Sequence, residues 1–122
     1  MQPETRFKIR VKADLGKLPC SWWVKTQQVT IRGTPDFLGC IGPYFVALEL
    51  KKDCFEAPDP LQAYNLSKCS KSGSIAISVN PQNWDAVFAQ LVDLAAVIKR
   101  YPGSVSTLKL QRMCWTALQG IK

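Results

Sequence analysis

An acid, a short apolar run and a Glu-x-Lys triplet are the residues of this chain whose types and spacing could do chemistry. Gly33-Thr34-Pro35-Asp36 sets one carboxylate just after a turn, and Tyr44 to Lys51 ends a hydrophobic run in Glu49-Leu50-Lys51. Side chains alternate along a strand, so Glu49 and Lys51 share one face, with Phe45 and Ala47, while Leu50 faces the other way. Charges at the end of an apolar strand are costly to bury without a partner. Two carboxylates suit a hard divalent cation, and a lysine beside them suits the charge of a phosphate undergoing hydrolysis. The bland alternative is a hairpin carrying a surface ion pair.

The whole composition narrows the chemistry further. There is no histidine. The usual general base and every Ser-His or Cys-His nucleophile scheme are therefore excluded. The five cysteines, Cys20, Cys40, Cys54, Cys69 and Cys114, include no Cys-x-x-Cys pair. Their spacing is unsuited to structural zinc, and their odd number favours free thiols. Cys40, inside an apolar strand, reads as a small core residue. Hydrolysis would have to rest on carboxylates, lysine and magnesium or manganese. The net charge of +7 makes a polyanionic partner plausible, because neutralising phosphates releases counterions.

The elements that must position these residues follow from periodicity. Glu4 to Leu18 reads as a helix with Phe7, Val11, Leu15 and Leu18 on one stripe, Gly16 a weak point and Pro19 the stop. A strand through Phe7, Ile9 and Val11 is the alternative, since those residues alternate with Lys8 and Arg10. Trp22 to Thr26, Asp36 to Ile41 and Tyr44 to Lys51 read as strands, the last two joined by the Gly42-Pro43 turn. Residues 27–34 form a loop or ragged strand extension. Asp59 caps a helix from Pro60 or Leu61 to about Ser70. Ser74 to Asn80 is a fourth strand. Gln82 to Arg100 is a long helix with Trp84, Val87, Phe88, Leu91, Leu94, Ala95 and Ile98 as its buried stripe. A last helix spans roughly Ser106 to Leu118. The order is α-β-β-β-α-β-α, an α/β fold with a mixed sheet flanked by helices. The length of 122 residues suits a single domain. No apolar run of about 18 residues could span a membrane. The start, Met1-Gln2-Pro3-Glu4, lacks an apolar signal segment, so a cytoplasmic protein is expected.

Over roughly Pro3 to Asn80 the chain resembles the PD-(D/E)xK nuclease superfamily, and within it the small VRR-NUC and Holliday-junction-resolvase-like proteins of phages and bacteria. The likeness rests on Gly33-Thr34-Pro35-Asp36, the hydrophobic stretch Phe37 to Leu48, Glu49-Leu50-Lys51, and Gln62 opening the next helix. Pro58-Asp59 is a second Pro-Asp, with no Glu-x-Lys after it. The resemblance implies a restriction-endonuclease-like core and a metal-dependent DNA endonuclease, with Holliday-junction or other branched DNA as the structure-selective option. It implies Asp36, Glu49, the Leu50 carbonyl and Glu4 as metal ligands for Mg2+ or Mn2+, and Asp36, Glu49, Lys51 and Gln62 as the catalytic set. A homodimer and, for a phage-encoded chain, the host cytoplasm are implied as well. Lys25, Gln28, Thr30, Arg32, Thr34 and Lys52 approach the same edge and suit contacts to a nucleic-acid backbone. Of the adjacent Trp22 and Trp23, one faces the core. The outward one is either a stacking or dimer residue or is covered by a helix. The competing readings are a non-catalytic nucleic-acid-binding module on a nuclease-like fold and a structural interaction protein whose charge is incidental.

Overall fold

A computed structural model describes residues 2–26, 33–57, 59–100 and 112–113. The chain runs α1 (Pro3–Leu15), β1 (Ser21–Lys25), β2 (Phe37–Ile41), β3 (Tyr44–Leu50), α2 (Pro60–Lys71), β4 (Ile75–Val79) and α3 (Trp84–Arg100). This is the expected order. Of the last helix, only Arg112 and Met113 fall among the described residues, and both are helical.

In α1, Phe7, Val11 and Leu15 face inward, whereas Ile9 is 52 % exposed, so helical spacing prevails over the strand alternative. The helix ends at Leu15 rather than Leu18. Gly16 follows as the C-cap, and Lys17 and Leu18 donate to the carbonyls of Asp14 and Leu15 at 3.0 and 3.2 Å. These tightened turns precede Pro19, whose predecessor is barred from helical geometry. Leu18 is still buried, carried inward by the turn.

The four strands form one sheet in the order β1-β2-β3-β4. β1-β2 and β2-β3 are antiparallel, and β3 pairs β4 in parallel through the α2 crossover. Phe37, Ile41, Val46, Leu48, Leu50 and Val79 lie on one face and pack with α1 and α3 in a single core. Trp84 of α3 is fully buried there, edge-on to Phe7 with ring centroids 6.4 Å apart, and its indole N–H donates to Asp14 at 2.8 Å. α3 opens at Trp84, two residues later than expected. Asn80 takes the preceding turn itself, its side chain accepting from the N–H groups of Gln82 and Asn83 at 2.9 Å each.

The opposite face carries Trp22, Val24, Leu38, Cys40, Phe45, Ala47 and Glu49 by register. α2 packs against β3 and β4. Ala47 and Glu49 are buried, while Trp22 and Phe45 are 65 % and 44 % exposed. Two expectations change here. Cys40 is only half-buried, and no helix among the described residues covers Trp22, because α2 reaches β3 and β4 rather than β1. Trp23, on the core face, packs against the core as expected. Cys20, Cys40, Cys54 and Cys69 are unpaired; Cys114 lies outside the described residues.

Candidate active site

Strand register brings the two carboxylates together. Phe37 lies opposite Leu48, so the antiparallel pairing, continued one residue, sets Asp36 alongside Glu49. The Leu50 N–H donates to Asp36 Oδ2 at 2.8 Å, which clips the acid to the end of β3. The preceding turn is anchored to α2. Gly33 has φ +77, and its carbonyl accepts from Asn65 Nδ2 at 2.9 Å. A Cβ at Gly33 would come within 2.8 Å of both Asn65 and Leu61, so only glycine permits this close approach in this conformation.

Glu49 is 3 % exposed. Its Oε1 accepts from Gln62 Nε2 at 2.9 Å, and Gln62 Oε1 in turn accepts from Lys51 Nζ at 2.8 Å. One amide therefore links the lysine to the glutamate. Gln62 is held in place by the first turn of α2, where Asp59 accepts from the N–H groups of Leu61 and Gln62 at 2.8 and 3.4 Å, and Pro60 provides the helical start. The second Pro-Asp of the sequence is thus a helix cap.

Glu49 Oε2 is buried without a hydrogen-bond partner. Burial pushes the Glu49 carboxyl up to about 8. The hydrogen bonding and charge of Asp36 and the charge of Glu56 add to that rise, and Lys51 opposes it. A carboxyl desolvated beside another acid keeps its proton to high pH unless a positive charge offsets the pair.

The site opens into a cleft of about 200 Å³ lined by Asp36, Glu49, Leu50, Lys51 and Gln62, with Glu4, Phe7 and Lys8 from α1 and Lys52 and Glu56 from the loop after β3. All the residues expected to catalyse or to bind metal border it. Glu4 is exposed at the rim, and among the described residues no three acid, cysteine or histidine side chains are gathered closely enough to hold a metal. The backbone-binding set divides. Lys52 lines the cleft and Thr34 lies half-buried in the turn, but Lys25 lines a separate groove beside α1. Gln28, Thr30 and Arg32 lie outside the described residues.

Sequence reasoning missed Lys8, Glu56 and Asn65. Lys8 was legible as a polar residue one position after Phe7. Glu56 and Asn65 carry no local signal, since each enters through a loop or helix folding back onto the sheet. Glu56 accepts from the Lys52 N–H at 3.0 Å, which shapes the loop beside the cleft.

The fold is a four-stranded mixed sheet flanked by helices, with Asp36 just before β2 and Glu49 near the end of β3 side by side and Glu49 bridged to Lys51 by Gln62. A solved structure described as a VRR_NUC domain shares the fold: 24% identity, TM-score 0.59, covering 83% of this chain and 99% of that one. No family model matches the sequence, and no curated protein matches it.

Proposed function

We propose that this chain is a magnesium- or manganese-dependent endodeoxyribonuclease that hydrolyses phosphodiester bonds. The observation that carries the reading is the buried, unpartnered Oε2 of Glu49 beside Asp36, with Lys51 held next to them through Gln62. Oxygen donors without histidine or thiolate suit a hard cation. Asp36, Glu49 and the Leu50 carbonyl would hold it, while Glu4 stands at the rim of the same cleft, not gathered with the two acids. When bound, such an ion lowers the pKa of a coordinated water and neutralises phosphoryl charge.

The chain's own side chains do the rest. Gln62 spends its carbonyl on the Lys51 ammonium and its N–H on Glu49, which fixes both charges relative to one another. Lys51 has three N–H donors and gives one to Gln62. The others are available to orient water and to stabilise charge developing on the phosphoryl oxygens. Lys8 and Lys52 bring cations to the cleft for an incoming phosphate, alongside Glu4 and Glu56.

The preferred substrate is branched DNA, a Holliday junction included, cut by a twofold homodimer that pairs two identical sites. The setting is the cytoplasm. The intact Lys51-Gln62-Glu49 chain of hydrogen bonds disfavours the alternative of a degenerate, non-catalytic binding module. The test is incubation of supercoiled plasmid and of a four-way junction with Mg2+, with Mn2+ and with chelator. Nicking or resolution that requires the metal and vanishes in Asp36→Ala is expected. Full activity in excess chelator overturns the mechanism, and no activity with either metal, with DNA binding retained, favours the binding module.

A further inference from the structure

A second groove, of about 310 Å³, lies on the other half of α1, between that helix and β1. Its size is at the lower end of ligand sites, which run from about 300 to 1,000 Å³. Two cations, Lys12 and Lys25, line it together with both tryptophans, and no acid does.

Its floor is built. The Trp23 indole lies over Gly39, where a Cβ would come within 2.6 Å of the ring. The Trp23 N–H donates to Ser21 Oγ at 3.0 Å, and Ser21 donates to the Leu18 carbonyl at 2.8 Å. Cys20 enters the strand with φ 57, and its carbonyl accepts from the Gly42 N–H at 2.8 Å. A left-handed non-glycine residue held by such a bond is a sterically costly device for setting the start of β1. The result leaves Trp22 at 65 % exposure on the groove's edge.

The groove is separate from the carboxylate cleft but neighbours it. Lys8 lines the cleft and Lys12 the groove, one turn apart on α1, a rise of about 6 Å. On the sheet side, Lys25 pairs with Phe37, the residue after Asp36, and the Thr26 N–H donates to the Asp36 carbonyl at 2.9 Å. Lys8, Lys12 and Lys25 therefore place cations between the candidate active site and the edge strand β1, whose exposed Trp22 borders the groove. Cations that follow a phosphate backbone, beside an aromatic face on which a base can stack, are the chemistry of single-strand recognition.

We propose that the groove edged by Trp22, Lys12 and Lys25 binds an unpaired stretch of nucleic-acid strand continuous with the phosphodiester in the carboxylate cleft. The inference rests on the nucleic-acid reading of that cleft and gives its substrate a single-stranded arm. A duplex cannot lay a base on Trp22 without unstacking it, so the groove separates arms from uninterrupted duplex.

The experiment measures fluorescence anisotropy in chelator with a labelled oligothymidylate and a labelled hairpin duplex. Trp22→Ala should weaken oligothymidylate binding about tenfold, and Trp22→Phe should restore most of it, since stacking contributes on the order of 1–3 kcal/mol per base. Duplex affinity should change less than about twofold. Lys12→Ala should flatten the salt dependence of single-strand binding by about 0.7 in log–log slope. Equal affinity of wild type and Trp22→Ala for the single strand overturns the proposal. So does an equal loss for both probes, or a change confined to self-association in light scattering, which would make the face a contact between copies. Cleavage does not enter these readouts. A chain that binds single strands through Trp22 but never cuts DNA with metal retains the groove and loses the nuclease reading, and the converse result does the reverse.

Discussion

Glu49 is the residue on which most of the chemistry turns, and its position makes two measurable demands. Its carboxyl is raised to about 8 in the folded chain, chiefly by burial, against an ordinary 4.5. Below about pH 4.5 it is protonated folded or unfolded, and the shift costs nothing. As pH rises towards 8, the unfolded chain ionises while the folded one resists, so stability without metal falls across that window and levels off above it. The loss should be on the order of a few kcal/mol. Thermal melts in chelator at pH 5, 7 and 9 should show it. Glu49→Gln, which can still accept from Gln62, should remove most of that slope, raise the melting temperature at pH 9 and abolish cleavage. Unchanged pH dependence in the variant would show that another group is responsible. Lys51 makes a different demand. Its charge is needed where phosphoryl charge develops, so Lys51→Ala should reduce turnover about a hundredfold or more while altering DNA affinity in chelator less than about threefold. Equal losses in both assays would assign Lys51 to binding instead.

At the scale of elements, the site depends on a turn and a helix start that meet across the sheet. Gly33 combines φ +77 with a contact to α2 that leaves no room for a Cβ. Gly33→Ala should therefore destabilise the fold by roughly 1–2 kcal/mol from the backbone conformation alone. It should also shift Asp36 away from Glu49 and lower cleavage more than the lost stability explains. Urea unfolding paired with a cleavage assay at low temperature separates these effects. A variant that melts early yet cuts normally would show that the turn does not position Asp36. The helices α1 and α3 were legible because amphipathic spacing survives burial: Phe7, Val11 and Leu15 in one, Trp84, Leu91 and Ala95 in the other. α2 was legible for another reason. It buries no residue, so its signal was the Asp59-Pro60 start rather than a stripe.

For the whole molecule, the net charge of +7 is a statement about long-range attraction. DNA affinity should fall steeply with salt, and Arg32→Ala should reduce the log–log slope by about one while weakening all sequences alike. A slope that does not change would remove Arg32 from the backbone contacts. The exposed apolar residues on the open side of the sheet, Trp22, Val24 and Phe45, bear on assembly as well as on strand binding. Light scattering at micromolar concentration should return twice the chain mass for the proposed homodimer. A monomer, with and without DNA, would exclude it. Among the described residues no helix is long and apolar enough to cross a membrane.

Within the sequence itself lay the order of seven elements, the inward stripes of α1 and α3, the cap of α2 and the pairing of Asp36 with Glu49-x-Lys51. These are local properties: helical and strand periodicity, proline and glycine stereochemistry, and the alternation that sets Glu49 and Lys51 on one face. Tertiary structure decided the rest, because it depends on which surfaces meet. Gln62 joins Lys51 to Glu49 only because α2 crosses back over β3. Glu56 and Lys8 reach the cleft only because a loop and a helix converge there. Lys25 lies beside a different groove because the core face of β1 meets α1. Burial turned Glu49 from one acid among nine into a carboxylate with an unsatisfied oxygen, and no spacing along a chain encodes the depth at which a side chain comes to rest.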